Sequence, residues 1–111
     1  MGLSTHILDT HLGKPAANVQ LILQVLRDGV WTELGRGATD ADGRCKALLG
    51  DHPLEAATYE LTFMTAPYFA TQQTASLYPY VKIVFTVADA AQHYHVPLLL
   101  TANGYSTYRG S

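Results

Sequence analysis

The chain has 111 residues, 48% hydrophobic and 14% charged, with a formal net charge of −2. That balance excludes a disordered segment and is enough for one core, so a single domain over 1–111 is expected. It also argues against nucleic acid, because no basic run is present, and against a membrane span, because no apolar stretch is long enough. The lone cysteine, Cys45, excludes an internal disulfide and fits a reducing compartment. No basic and apolar leader stands at Met1 to His6, so a cytoplasmic location is expected.

In chain order, Leu3 to Leu8 alternates, with Leu3, Thr5 and Ile7 on one face and Ser4, His6 and Leu8 on the other. Asp9 to Pro15 is turn material. Val19, Leu21, Leu23 and Val25 repeat with period two, a strand. Asp28-Gly29 is a hairpin signal, and Trp31 to Gly35 is the returning strand. Thr39-Asp40-Ala41-Asp42-Gly43 is a second turn that delivers Arg44 to a strand start or loop edge. Lys46 to Leu49 reads as a short strand and Gly50 to Leu54 as loop.

Thr58 to Met64 is a strand with Tyr59, Leu61 and Phe63 toward the core. Phe69 to Ala75, inside Pro67 to Leu77, is the one helical candidate. Val81, Ile83, Phe85 and Val87 alternate cleanly. His93 to Leu100 forms the penultimate strand, with Tyr94, Val96, Leu98 and Leu100 on its core face. A turn at Thr101 to Gly104 leads to a final strand from Tyr105 to Ser111. Seven or eight short strands with regular turns indicate an all-β antiparallel sandwich.

His6 stands on the non-core face of the first strand, and His93 and His95 share the non-core face of the penultimate one. An imidazole holds or releases a proton near neutral pH, which suits general base chemistry. A histidine met alone on a strand is more often structural, so the surrounding motifs decide. Cys45 reads as a small buried residue without thiolate activation, and His11 and His52 as solvated loop residues. Alternate strand residues stand about 6.6–7 Å apart, which spreads His93 and His95 and argues against a metal site.

Three motifs carry a resemblance. They are Leu3-Ser4-Thr5-His6-Ile7-Leu8-Asp9-Thr10 with Gly13 and Pro15-Ala16, then Thr39-Asp40-Ala41-Asp42-Gly43-Arg44, then His93-Tyr94-His95-Val96-Pro97-Leu98-Leu99-Leu100 with Tyr105-Ser106-Thr107-Tyr108-Arg109-Gly110-Ser111. Tyr78-Pro79 with Ile83 and Phe85 adds a fourth piece. In this order they resemble the 5-hydroxyisourate hydrolases, the transthyretin-related enzymes of urate breakdown. Asp40 stands where that family commonly has Asn, and Thr101-Ala102 where it commonly has Ser-Pro.

The resemblance implies a transthyretin-like sandwich of two four-stranded antiparallel sheets with one short helix. It implies a homotetramer, a dimer of dimers with sites at the dimer–dimer interface, and no cofactor or metal. The substrate it implies is 5-hydroxyisourate, opened by hydrolysis to 2-oxo-4-hydroxy-4-carboxy-5-ureidoimidazoline. His6, Arg44 and His95 are its catalytic residues by this resemblance, and Tyr108, Arg109, Gly110 and Ser111 its substrate-binding tail. The alternative within the same fold is a small-molecule binding protein without catalysis. A lining of histidines and arginine is unsuited to an apolar hormone carrier.

Overall fold

Asp28 and Gly29 both adopt positive φ, 52° and 75°, and so close the two-residue hairpin that the Asp-Gly pair announces. The computed structural model describes residues 2–45 and 47–111. Among them the strands are β1 (Leu3–Asp9), β2 (Lys14–Pro15), β3 (Gln20–Arg27), β4 (Val30–Ala38), β5 (Arg44–Cys45), β6 (Ala57–Phe63), β7 (Val81–Val87), β8 (Tyr94–Thr101) and β9 (Gly104–Thr107). One helix, α1 (Thr65–Thr71), lies between β6 and β7.

The strands form two sheets. One has the order β4-β3-β6-β7, antiparallel throughout. The other has the order β2-β1-β8-β9, with the short β5 also paired to β1. This is the sandwich expected, with one departure: β1 and β8 run parallel, Leu3 opposite Tyr94 through Asp9 opposite Leu100. Period two encodes which face a residue takes and says nothing of the neighbour's direction.

Alternation places the core. Leu21, Leu23 and Val25 of β3 are buried, with Tyr59, Leu61 and Phe63 of β6 beside them. Ile7 of β1 and Leu98 and Leu100 of β8 are buried in the other sheet. Each such aliphatic side chain contributes roughly 1.5–3 kcal/mol when fully buried. Cys45 is buried as expected, and burial pushes its thiol pKa up, away from thiolate reactivity.

Three local expectations shift. The helix begins at Thr65, not Phe69, and ends before Gln73, whose φ is +55°. Pro67 falls in the first turn, where its missing N–H costs little, and Tyr68 and Phe69 are both buried. The short strand expected over Lys46 to Leu49 lies earlier, at Arg44–Cys45. Leu48 to Gly50 is turn, and Lys46 itself is outside the described residues. The last turn holds without the Pro, because Leu77 N–H donates to the Ala102 carbonyl at 2.9 Å and the Thr101 hydroxyl to the Gly104 carbonyl at 3.1 Å.

Candidate active site

The site is built on the outer face of the β1/β8 sheet. In β1, Leu3, Thr5, Ile7 and Asp9 are buried, while Ser4, His6 and Leu8 face outward and are half-buried. Across the sheet Ser4 stands opposite His95, and His6 opposite Pro97. On the other side of β1, His6 stands opposite Arg44 of β5. Directly opposed residues project from the same face. Register alone therefore brings Ser4, His6, Arg44 and His95 to one surface.

The turn before Arg44 explains its placement. Asp40 Oδ1 accepts from the backbone N–H of Asp42 at 2.9 Å and of Arg44 at 3.0 Å, an Asx-type turn. The Gly43 carbonyl accepts from Ile7 N–H at 2.8 Å, which ties the turn to β1. Gly43 takes φ +75°, and a Cβ there would lie 2.5 Å from the Ile7 carbonyl oxygen. Only glycine permits that approach.

His95 is half-buried and hydrogen-bonded. Its Nδ1 lies 2.8 Å from Ser4 Oγ, and the same oxygen lies 2.9 Å from His93 Nε2. Burial is the main cause that holds the His95 pKa below the ordinary histidine value. A hydrogen bond that the ring donates to the Ser4 backbone opposes that shift. The facing charges of Arg44, His6 and His93 add to it. His95 is thus kept neutral at neutral pH.

The C-terminal tail divides. Gly110 N–H donates to the His95 carbonyl at 2.8 Å, and a side chain at Gly110 would overlap the His95 ring. Pro97 is buried beneath it. Arg109 turns to the opposite face, with its guanidinium carbon 4.4 Å from the Tyr94 ring centroid and Nη2 donating to Gln92 Oε1 at 2.8 Å. Tyr108 is 56% exposed, and Ser111 is exposed. So Gly110 joins the histidines, whereas Tyr108 and Arg109 border a cleft of about 300 Å³ with Ile83, Phe85 and Val96.

A larger cavity of about 570 Å³ opens beside the histidines, lined by Ser4, Arg44, Leu49, His52 and His93. His52, expected as a solvated loop residue, is exposed yet forms part of this wall. Ser4 and His52 are the residues that reading the sequence did not assign. Ser4 had a usable signal, since it shares the outward face of His6. His52 had none, because a loop residue's position depends on the packing of the turn before it. Among the described residues, no three histidine, cysteine or carboxylate groups cluster closely enough to hold a metal ion.

Residues 3–110 match the HIUase/Transthyretin family. The 5-hydroxyisourate hydrolase of Deinococcus radiodurans is 46% identical over 114 residues, covering 99% of this chain and 96% of that protein. The structure of Klebsiella pneumoniae 5-hydroxyisourate hydrolase superposes with a TM-score of 0.86 at 38% identity, covering 98% of this chain and 97% of that one. Sea bream transthyretin in complex with thyroxine gives a TM-score of 0.91 at 31% identity, covering 97% and 93%. The match spans both sheets and the three motifs as far as Gly110, and the chain belongs to the HIUase/Transthyretin family.

Proposed function

We infer that this protein is a 5-hydroxyisourate hydrolase, opening a ring amide of 5-hydroxyisourate to give 2-oxo-4-hydroxy-4-carboxy-5-ureidoimidazoline. The observation that carries the reading is the register that sets His6 beside Arg44 and His95 on one open face. It is supported by the identity to named hydrolases over nearly the full chain.

In this reading His95 is the general base. It is half-buried and neutral, and its Nδ1 is engaged by Ser4, which leaves Nε2 to take a proton from the attacking water. His6 donates to the leaving ring nitrogen. Arg44 stabilises negative charge on the carbonyl oxygen as water adds. Tyr108, Arg109, Gly110 and Ser111 form the substrate-binding tail, with Gly110 anchoring it against His95.

The catalytic unit is one transthyretin-like domain, 1–111, assembled as a homotetramer with sites between dimers. Exposed apolar side chains such as Leu77, Val84 and Tyr105 are consistent with surfaces covered by other subunits. No helix among the described residues is long and apolar enough to cross a membrane, and a cytoplasmic location is part of the proposal.

The test begins with 5-hydroxyisourate made freshly from urate by a uricase. Its ultraviolet decay is followed with and without the protein, and the product by circular dichroism. Accelerated decay to a single enantiomer is expected. His95→Ala should lose on the order of 10²–10⁴-fold in turnover, and Arg44→Ala about 10²–10³-fold. Decay at the spontaneous rate with micromolar protein would favour ligand binding without catalysis.

A further inference from the structure

Ser4 Oγ bridges two imidazoles, 2.8 Å from His95 Nδ1 and 2.9 Å from His93 Nε2. A hydroxyl has one hydrogen to donate and lone pairs to accept with. It can donate to one ring while accepting from the other, or accept from both with its hydrogen aimed elsewhere. Two arrangements place the hydroxyl hydrogen within the bridge, as a relay requires. In one, Ser4 donates to His95 Nδ1 and His93 Nε2–H donates to Ser4, so both neutral rings carry hydrogen on Nε2. In the other, His95 Nδ1–H donates to Ser4 and Ser4 donates to His93 Nε2, so both carry it on Nδ1. In both, the two tautomers are locked in step.

Of these two, only the second leaves His95 Nε2 unprotonated and able to accept a proton. His95 is half-buried and His93 exposed, so the bridge runs from the interior of the site to water. Gly2 stands beside the His93 Nδ1 edge and has no side chain to cover it.

We propose that Ser4 and His93 form a proton relay that resets the His95 tautomer during turnover, a proposal that rests on the hydrolase reading with His95 as base. As His95 Nε2 takes a proton from water, its Nδ1 proton passes to Ser4 Oγ. The Ser4 hydroxyl proton passes to His93 Nε2, and His93 Nδ1 releases one to solvent. When His95 Nε2–H is given up again, directly or through His6, the same path runs backwards from solvent. Each cycle then returns every group to its starting protonation, with water's hydroxyl on the carbonyl carbon and its hydrogen on nitrogen. Ser4 is a positioning residue, because it acts through His95.

Two measurements on the intact protein test this. Long-range ¹H–¹⁵N spectra of the wild-type imidazoles should show His93 and His95 as the same tautomer, and Ser4→Ala should uncouple them. In steady-state kinetics Ser4→Ala should lower kcat by about 10²-fold with KM little changed, in line with loss of acid–base assistance, and Ser4→Thr should regain most of it. His93→Ala should lose kcat too and recover it as imidazole is added to the buffer. Opposite tautomers on the two wild-type rings overturn the relay without any variant. So does wild-type kcat in folded Ser4→Ala and His93→Ala. An inactive wild-type protein instead overturns the hydrolase reading itself, a result distinct from active variants.

Discussion

Tyr68 of α1 donates its hydroxyl hydrogen to Asp9 Oδ2 at 2.7 Å, and Asp9 has no exposed surface. The other carboxylate oxygen accepts from the backbone N–H of His11 and Leu12, both at 3.0 Å. This one carboxylate therefore caps the turn after β1 and pins the helix to the sheet that carries the histidines. Burial first, and then the bond to Asp9, push the Tyr68 pKa up to about 12.

Tyr68→Phe should destabilise the fold by roughly 1–3 kcal/mol, since a buried carboxylate oxygen loses its partner. Turnover per folded molecule should stay near the parent's, because Tyr68 lies away from His95. Urea unfolding with kinetics on the folded fraction checks both. A stability unchanged within error would show that Asp9 finds another partner.

Gly110→Ala tests the tail. A methyl group there would overlap the His95 ring, and the imidazole is the part able to give way. The fold should survive, and kcat should fall by at least about tenfold as the base leaves its position. The readout is kcat beside an unchanged circular dichroism spectrum.

Activity should follow the protonation of His95. Its pKa lies below the ordinary value near 6.5, so the neutral base persists through pH 6.5. The acid limb of kcat/KM should therefore fall below that pH. An acid limb centred above 6.5 would exclude His95 as the group observed. The same depression has a stability sign. The unfolded chain binds this proton more readily, so this contribution is fully present above the unfolded value and is lost as pH falls through the window below it.

His52→Ala should raise KM with kcat little changed, because His52 lines the cavity wall and makes no bond to the catalytic histidines. An equal fall in kcat would place His52 nearer the chemistry.

How much of this was legible depends on what burial imprints on each segment. β3, β7 and β8 have one face in the core, so their alternation was plain. β4 is an edge strand, exposed at most positions, and only Trp31 to Gly35 was readable within Val30–Ala38. The outward placement of His6 and His95 followed from period two, but their adjacency required knowing that β1 and β8 are neighbours. The helix was misplaced by four residues at its start because it has no side-chain cap or charged end to mark it. The split of the tail at Gly110 was invisible, since it follows from a glycine that fits against His95.

The parallel pairing of β1 with β8 joins residues about ninety positions apart, such as Ser4 and His95. Hairpin contacts between β3 and β4 close over a few residues, whereas this pairing must first overcome the entropy of a long loop. The surface that carries the chemistry should accordingly be the late-forming half of the molecule. Trp31 sits on β4, in the early sheet, and offers a fluorescent clock for it. After dilution from denaturant, recovered turnover should trail the tryptophan signal.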